Sequence, residues 1–335
     1  MLAPGRGLRG AALAEIARGG EEGAQTRMRP WSVSGLFHIG ANEFRVGVGA
    51  ERTPEGGLKR LSRIDGHTAE SGELARALRV IWVTPAMDRL FSGPPGDRRR
   101  FLDRLVFARA SEHGHAAAAY ERALRERQRL LNENVRDDAW LGGLEREMAA
   151  HGCAIAAARV ETIAYLQRAI DARPEGAFPK SLLLLEGEIE AQFAAGGVSG
   201  DIEDRFASDL RANRGLDASA GRALRGPQRA DLLVRHAPKD MPAAQCSTGE
   251  QKALLLGLVL GQARSLAEDV GAGPALLLID EAAAHLDAQR RAALFEELLA
   301  LPGQSWLTGT DANLFDAFGD RAQMVEVRDG QVRAI

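Results

Sequence analysis

The stretch Ala275-Leu276-Leu277-Leu278-Ile279-Asp280-Glu281 decides the fold prediction, because five apolar residues run directly into two carboxylates. Such a continuous apolar run predicts a central parallel strand that is buried on both faces. Ligands of open α/β sheets bind beyond the carboxyl ends of the strands, where these two acids would lie. Asp280 is therefore a candidate for holding Mg²⁺, directly or through water, and Glu281 for orienting or deprotonating an attacking water. Two solvated acids that merely end a strand would explain the pair equally well.

A second motif, Ser247-Thr248-Gly249-Glu250-Gln251, precedes that strand by one predicted helix. As local structure it is a capping box, with Ser247 as the N-cap and Glu250 three residues later. As a functional motif, the Ser247 hydroxyl and the N–H groups at the helix start form an anion site suited to a terminal phosphate, which Gly249 lets the backbone approach. Leu286-Asp287 follows the strand after one short turn. The three motifs are weak singly, but their order and spacing are specific.

The rest of the chain alternates between strand-like and helix-like patterns. Two strands are predicted at residues 31–36 and 43–49, around a Gly/Asn turn, and a third at residues 78–83. Between residues 101 and 166, apolar residues recur at spacings of three and four, which predicts an arm of antiparallel helices. In the last third, strands and helices alternate, which favours a parallel sheet flanked by helices. The predicted architecture is an α/β head interrupted by a helical arm.

Composition narrows the class of protein. The 335 residues are enough for two domains, or for one large domain with an insertion. A net charge of −3 excludes a basic field over the whole molecule, so any DNA contact must come from a local patch or from a dimer. The two cysteines, Cys153 and Cys246, lack the spacing of a zinc site and favour a reducing compartment. No apolar run approaches the roughly 18 residues that a membrane helix needs, and we expect a cytoplasmic protein with no membrane partner.

The order of the three motifs resembles the signature, Walker B and D-loop motifs of the ABC/SMC ATPase superfamily. Longer stretches narrow the resemblance to the RecF family of bacterial recombinational-repair ATPases, and together they span essentially the whole chain. The first resembling stretches are residues 4–9, similar to the segment after the family's phosphate-binding helix, and residues 84–90 and 95–103, similar to a stretch that ends in RRRFLD. The others are residues 120–131, similar to the start of the helical arm, and Gly226-Pro227-Gln228-Arg229-Ala230-Asp231, similar to GPHRDD except at Gln228 and Ala230.

This resemblance implies a mixed α/β fold, an ABC/SMC-type ATPase head with an inserted helical arm. We expect the head to comprise residues 1–97 and 222–335, and the arm residues 98–221. Members of the family are weak ATPases that dimerise on ATP and bind gapped DNA. With RecO and RecR they help load the recombinase at single-strand gaps, and they support the SOS response. ATP and Mg²⁺ are the implied cofactors, and the implied partners are single-stranded and gapped double-stranded DNA, RecO, RecR and a second copy of the chain.

The resemblance also implies roles for single residues. The phosphate-facing loop of one head, which we call the signature loop, would complete the nucleotide site of the other head; it consists of Ser247, Thr248, Gly249, Glu250 and Gln251. Asp287 would lie where the two heads meet. At the switch position after the next strand, Thr310 or Asp311 would contact the terminal phosphate or water, although such residues also simply end strands.

Two arginine clusters are candidates for DNA contacts. They are Arg98, Arg99 and Arg100 before the predicted arm, and Arg122, Arg125 and Arg129 on one face of a predicted arm helix. Arginines in such positions could bind phosphates along a DNA backbone. The first cluster fits a helix start that pairs with Asp97 and Asp103 slightly better. In the second cluster, the interleaved Glu121 and Glu126 favour a solvated face of salt bridges.

The 335 residues contain no phosphate-binding loop of the form GxxxxGK[ST]. Lys180-Ser181 follows Pro179, where such a loop needs glycine, and Gly5-Arg6-Gly7-Leu8-Arg9-Gly10 has no room for a preceding strand. Because the RecF resemblance places residues 4–9 after the phosphate-binding helix, we expect about 40 further residues, with the first strand and the loop, to precede Met1 in the gene. Without the amides, Lys and Ser/Thr of that loop, the chain as given should bind ATP negligibly.

Two other functions fit the same motifs. The ATPase subunit of a transporter shares them, but it usually carries histidine at the switch position, where this chain has Thr308-Gly309-Thr310-Asp311. The long predicted arm also disfavours a transporter. A head that kept its shape and lost ATP would be an ATP-independent binding module, which the missing phosphate-binding loop favours.

Overall fold

The computed structural model describes residues 11–16, 30–54, 56–135, 137–269, 273, 275–281 and 286–335. Their strands are β1 (Trp31–Ile39), β2 (Asn42–Arg52), β3 (Leu58–Ile64), β4 (His67–Thr68), β5 (Val80–Val83), β6 (Ser181–Glu186), β7 (Asp231–His236), β8 (Met241–Pro242), β9 (Leu276–Ile279), β10 (Ser305–Leu307), β11 (Val325–Arg328) and β12 (Gln331–Ala334). Their helices are α1 (Leu13–Ile16), α2 (Ser71–Ala77), α3 (Pro95–Arg109), α4 (His113–Asn132), α5 (Asp138–Ala172), α6 (Glu188–Ala194), α7 (Ser199–Ala212), α8 (Arg214–Ala220), α9 (Thr248–Ala267) and α10 (Ala288–Leu299). Short 3₁₀ helices cover Pro85–Arg89, Pro227–Arg229, Ala237–Lys239, Ala243–Gln245 and Ala312–Arg321. The resembling stretch 4–9 lies outside the described residues.

A parallel sheet in the order β10-β9-β5 carries the two predicted acids at its carboxyl end. Ile279 of β9 pairs with Val83 on one side and with Leu307 on the other. The predicted parallel sheet, with strand–helix alternation, is therefore confirmed. The prediction that β9 is buried on both faces was half right, because its residues alternate between buried and half-buried. Trp306, on the neighbouring β10, is 53% exposed, so the second face is only partly covered by the described residues.

An antiparallel sheet in the order β1-β2-β3-β4 comes before the parallel one in the chain. The predicted pair of strands is confirmed, with Trp31 opposite Ala50 and Ile39 opposite Asn42. Gly40 makes the turn with a φ of 59°, which glycine adopts without steric cost. Strands β3 and β4 were missed by the sequence analysis. The C-terminal hairpin of β11 and β12 turns on Asp329-Gly330, both with positive φ, as an Asp-Gly turn requires.

Helix α9 is buried on all sides. Every residue from Gln251 to Ala263 is buried, and Leu254 to Leu256 have no exposed surface. A helix that is apolar all round belongs in the interior of a large domain. Its neighbours in the main hydrophobic cluster come from the parallel sheet, from α3 and from α5, among them Leu277, Leu105 and Leu166. Packing of these buried residues in the core therefore fixes the position of α9, and with it the position of both helix ends.

The helical part of the chain packs around a second hydrophobic cluster. Tyr120 of α4, Met148 of α5 and Phe206 of α7 meet in this cluster, which confirms a helical insertion. Helix α3 instead joins the main cluster through Phe101 and Leu102. The division into a head of residues 1–97 and 222–335 and an arm of residues 98–221 therefore stays a prediction. Within the described segments, no helix combines the length and apolar character that crossing a membrane requires.

A buried arginine ties the helices together. Arg127 of α4 has no exposed surface, and its guanidinium donates to Glu145 at 3.1 Å and to Asp217 at 2.7 Å. A third bond, 2.7 Å long, reaches the carbonyl oxygen of Leu210. One side chain thus joins α4 to α5, α7 and α8. Buried charges of this kind are tolerated only when they are paired and hydrogen-bonded.

We predict that Arg127→Met lowers the free energy of unfolding by about 3 kcal/mol or more, because it leaves Asp217 without its buried cation and leaves Glu145 with Arg214 alone. Arg129→Met is the matched control, since it changes the same residue type on the same helix at an exposed site. An exposed ion pair contributes only about 0–1 kcal/mol. Urea unfolding of both variants measures the difference. Equal losses in the two variants would show that the buried network does not stabilise the arm.

Candidate functional site

A threonine holds the two acids at the end of β9. The Thr308 hydroxyl donates to Asp280 Oδ1 at 2.7 Å, and it accepts from the Glu281 backbone N–H at 3.0 Å. Thr308 directly follows β10, the strand beside β9, and its own N–H donates to the Ile279 carbonyl at 3.0 Å. The sheet ladder therefore brings Thr308 next to both acids. Sequence analysis named the neighbouring Thr310 instead; the signal that would have found Thr308 is its place immediately after the adjacent parallel strand.

Glu281 has a strained backbone that two side chains fix. Its φ is 51°, in the left-handed region that non-glycine residues rarely adopt. Its N–H is held by Thr308, and its carbonyl oxygen lies 3.3 Å from Lys252 Nζ. Such strain costs on the order of 1–3 kcal/mol and persists only where the surroundings enforce it. The Glu281 side chain is exposed in the described structure, which leaves its carboxylate available at the end of the sheet.

Lys252 links the signature helix to the strand ends. It lies in the second turn of α9, is only 2% exposed, and places Nζ 3.6 Å from Asp88 Oδ2 as well as near Glu281. Asp88 belongs to the 3₁₀ helix that follows β5. The predicted signature and Walker B motifs are therefore joined within one copy by a buried ammonium. Sequence analysis missed this role, although a single lysine inside an apolar helical run was a signal for it.

The signature loop has the predicted capping box. Glu250 N–H donates to Ser247 Oγ at 3.4 Å, and Ser247 N–H donates to the Glu250 carboxylate at 3.1 Å. A hydrogen bond from Lys239 and the bond from Ser247 N–H lower the pKa of Glu250 to about 2. Ser247 and Thr248 are exposed, and Gly249 is half-buried. The loop thus presents its hydroxyl groups and helix start to the surroundings.

The other predicted nucleotide contacts have local partners. Gln251 is turned inward, is 7% exposed and donates to the Cys246 carbonyl at 2.9 Å, so it shapes the loop from inside. Asp287 caps α10 and accepts from Arg290 N–H at 2.8 Å. Thr310 is exposed, and Asp311 begins the 3₁₀ helix of residues 312–321. Their roles toward a nucleotide stay predictions.

The first arginine cluster has mainly structural contacts. Arg98 binds both oxygens of Asp231, at 2.8 and 2.7 Å, and Arg99 donates to the Ala230 carbonyl at 2.8 Å. Only Arg100 remains exposed, paired with Asp97. The expected pairing of this cluster with Asp103 was wrong, because Asp103 bonds to Arg159 and to His113. Two stretches that carry the resemblance, 95–103 and 226–231, therefore meet in space.

The second arginine cluster forms the salt-bridged face that the sequence favoured. Arg129 pairs with Glu126 at 2.7 Å and with Glu133 at 2.9 Å, which raises the pKa of Arg129. Arg125 pairs with Glu121 at 3.4 Å. Arg122 is exposed on the same face. A role of this face in DNA binding stays a prediction.

The fold is a mixed α/β head with inserted helices. The recombination mediator protein RecF of the RecFOR pathway, solved as RecF-ATPrS and as RecF-ATP, superposes with TM-scores of 0.79 and 0.76. Both comparisons cover the whole of this chain and 86% and 87% of the solved chains, at 19% and 20% identity. At such identity the likeness establishes the fold, and it confirms the predicted mixed α/β class with inserted helices.

Sequence comparison defines the particular family. The DNA replication and repair protein RecF of Mesorhizobium japonicum is 50% identical over 335 residues, which cover 99% of this chain and 86% of the relative. RecF of Allorhizobium ampelinum is 47% identical over 333 residues, 99% of this chain and 86% of the relative. RecF of Brucella suis is 47% identical over 335 residues, 100% of this chain and 85% of the relative. No family model matches the sequence. The chain belongs to the RecF family.

We predict that Thr308→Val slows ATP hydrolysis roughly tenfold to a hundredfold, because valine keeps the shape but removes both hydrogen bonds to the acids. Thr68→Val, on the exposed strand β4, is the matched control and should stay within about twofold of the unchanged protein. Steady-state phosphate release measures both. Equal rates of phosphate release in the two variants would contradict the role of Thr308.

Proposed function

We propose that this protein acts as an ATP-dependent DNA-binding protein in DNA replication, recombinational gap repair and the SOS response. Membership in the RecF family supports the proposal, since its relatives carry the name of DNA replication and repair protein. The observation that carries the ATP dependence is the Lys252 contact, which couples the signature helix to the Glu281 backbone. A contact of this kind lets the state of the signature loop influence the position of the proposed base.

The residues at the carboxyl end of the sheet fit Mg²⁺ and a nucleotide. Asp280 offers a carboxylate that Thr308 orients, and oxygen ligands of this type suit Mg²⁺. The cation would offset the negative charge of the phosphates, which two adjacent acids would otherwise repel. Glu281 would orient or deprotonate the attacking water, since its carboxylate is exposed while its backbone is fixed.

The signature loop would act on the nucleotide of a second copy. Ser247 and Thr248 are exposed at the start of α9, where N–H groups and the helix dipole favour an anion. Asp287 is exposed at the start of α10 and would lie at the seam between the copies. ATP would then hold two heads together, and hydrolysis would release them. Because the 335 residues contain no phosphate-binding loop motif, ATP binding by the unchanged protein is measured first in every experiment on this proposal.

RecO, RecR and gapped DNA are the partners that we propose. The solved RecF structures belong to the RecFOR pathway, which supports RecO and RecR. The transporter alternative was wrong, because the chain belongs to the RecF family. An ATP-independent binding module would share the fold, and the loss of ATP-driven pairing in the next experiment would favour it.

Replacing the proposed base should trap the paired state. We predict that Glu281→Gln keeps ATP binding, lowers hydrolysis at least about a hundredfold and accumulates ATP-bound dimers, since glutamine keeps the shape but cannot take a proton. Glu326→Gln, on the exposed strand β11, serves as the control for charge loss alone. Size-exclusion chromatography with ATP measures pairing. A Glu281→Gln protein that stays monomeric while hydrolysing ATP would contradict the assignment.

DNA binding should require ATP and should weaken steeply with salt, because contacts to phosphates release counterions. Replacing Arg122, Arg125 and Arg129 by Ala tests the arm face, and replacing Glu121 and Glu126 by Ala tests the same face with the opposite change in charge. If the face contacts DNA, the arginine variant loses affinity and has a shallower salt slope, while the glutamate variant gains affinity. Binding of a gapped duplex is measured by fluorescence anisotropy. Identical slopes in all three proteins would leave the face as solvated surface.

A further inference from the structure

The signature loop contains an acid where the proposed function needs an anion site. Glu250 lies in the first turn of α9, on the same loop as Ser247 and Thr248, and its side chain keeps 19% of its surface exposed. A carboxylate beside a terminal phosphate repels it. A glutamate is ionised near neutral pH, so protonation does not remove this charge. Its neutralisation therefore requires a neighbouring cation.

Lys239 is that cation. Its ammonium forms an ion pair with Glu250 Oε1, and its side chain is 49% exposed, so the pair lies at the surface of the loop. The chain has only four lysines among its 43 lysines and arginines. Lys239 contacts Glu250 of the signature loop, and Lys252 lies on the helix that follows the loop. A lysine gives a compact charge on a flexible stem, whereas arginine imposes a planar fork.

The backbone around Lys239 is held in place. Lys239 ends the 3₁₀ helix Ala237–Lys239, and the next residue, Asp240, has a φ of 46°, in the left-handed region. Arg235 fixes Asp240 by donating to its carboxylate at 2.7 Å and to its carbonyl oxygen at 2.5 Å. The turn that carries Lys239 is thus fastened to β7. It presents the ammonium to the start of α9 from a separate element of the fold.

We infer that Lys239 is a positioning residue that neutralises Glu250, so that the signature loop can accept the terminal phosphate of a nucleotide held by a second copy. The inference rests on the proposed pairing through ATP. The Glu250 carboxylate keeps its structural task in the capping box, while its charge is compensated from outside the helix. The Ser247 hydroxyl itself donates to Glu250 Oε2 at 3.1 Å, so a phosphate at the loop meets the Ser247–Glu250 pair directly, and Lys239 leaves that pair without a net negative charge.

A charge-swap series tests the inference. Lys239→Gln, Glu250→Gln and the double variant are compared for ATP-driven pairing by sedimentation velocity. Glutamine at position 250 keeps an oxygen for the Ser247 N–H, so the cap survives. Lys180→Gln is the matched control, because Lys180 also pairs with a carboxylate, that of Glu175 at 3.6 Å. Thermal unfolding checks that every variant is folded.

Lys239→Gln should weaken pairing about tenfold or more, because it exposes an uncompensated carboxylate to the phosphate. Glu250→Gln should pair at least as tightly as the unchanged protein, and the double variant should pair as Glu250→Gln does. If Lys239 only stabilised the turn or bound the phosphate itself, adding Glu250→Gln to Lys239→Gln would not restore pairing. Normal pairing by Lys239→Gln, or a double variant as weak as Lys239→Gln, overturns the inference. An unchanged protein that never pairs with ATP overturns the proposed function and the inference with it.

Discussion

The burial of helix α9 on every side is the constraint on which the rest of the structure depends. Its residues from Gln251 to Ala263 contact the parallel sheet, α3 and α5, so the helix can neither rotate nor slide without opening the core. The signature loop at its start and Lys252 in its second turn are therefore fixed relative to the acids at the end of β9. The position of the loop relative to Glu281 is thus set by one closely packed helix.

A second buried ionic network connects α3 with the loop of residues 226–231. Arg159 binds Asp103 at 2.8 and 3.0 Å, Glu190 at 3.0 Å and the Pro227 carbonyl at 2.7 Å. Burial raises the pKa of Asp103, but the His113 hydrogen bond and the charge of Arg159 outweigh it and bring the pKa from 3.8 to about 2. Since the folded pKa lies below the ordinary value, this carboxylate stabilises the fold above that value and loses its contribution as the pH falls toward 2.

The loop of residues 226–231, which resembles a RecF-family stretch, requires glycine at its first position. Gly226 has a φ of 122°, and a Cβ there would collide with Tyr120 Oη and with Gln228. Gln228, a departure from the family pattern, donates to the Arg225 carbonyl at 2.7 Å and accepts from the Tyr120 hydroxyl at 2.5 Å. The departure is therefore accommodated by local hydrogen bonds, and the contact between the two resembling stretches is kept.

Local patterns made the elements predictable, whereas contacts between distant residues were not. The capping box at Ser247 and the apolar run before Asp280 each follow from neighbouring residues, so α9 and β9 could be predicted. Thr308 contacts Asp280 only because β10 lies beside β9, and sequence does not state that strand order. The Arg98–Asp231 pair joins residues 133 positions apart. The sequence therefore favoured a structural role for the arginine cluster but did not identify Asp231 as the partner of Arg98.

The central claim is that the signature loop of one copy acts on the nucleotide of the other, and mixing two defective variants tests it most directly. Ser247→Ala lacks the proposed phosphate contact, and Glu281→Gln lacks the proposed base, so each alone should hydrolyse ATP poorly. A mixed dimer contains one site with an intact Glu281 and an intact Ser247 from different copies. We predict that mixing restores hydrolysis well above either variant at the same total concentration. A rate equal to the average of the two variants would contradict the account.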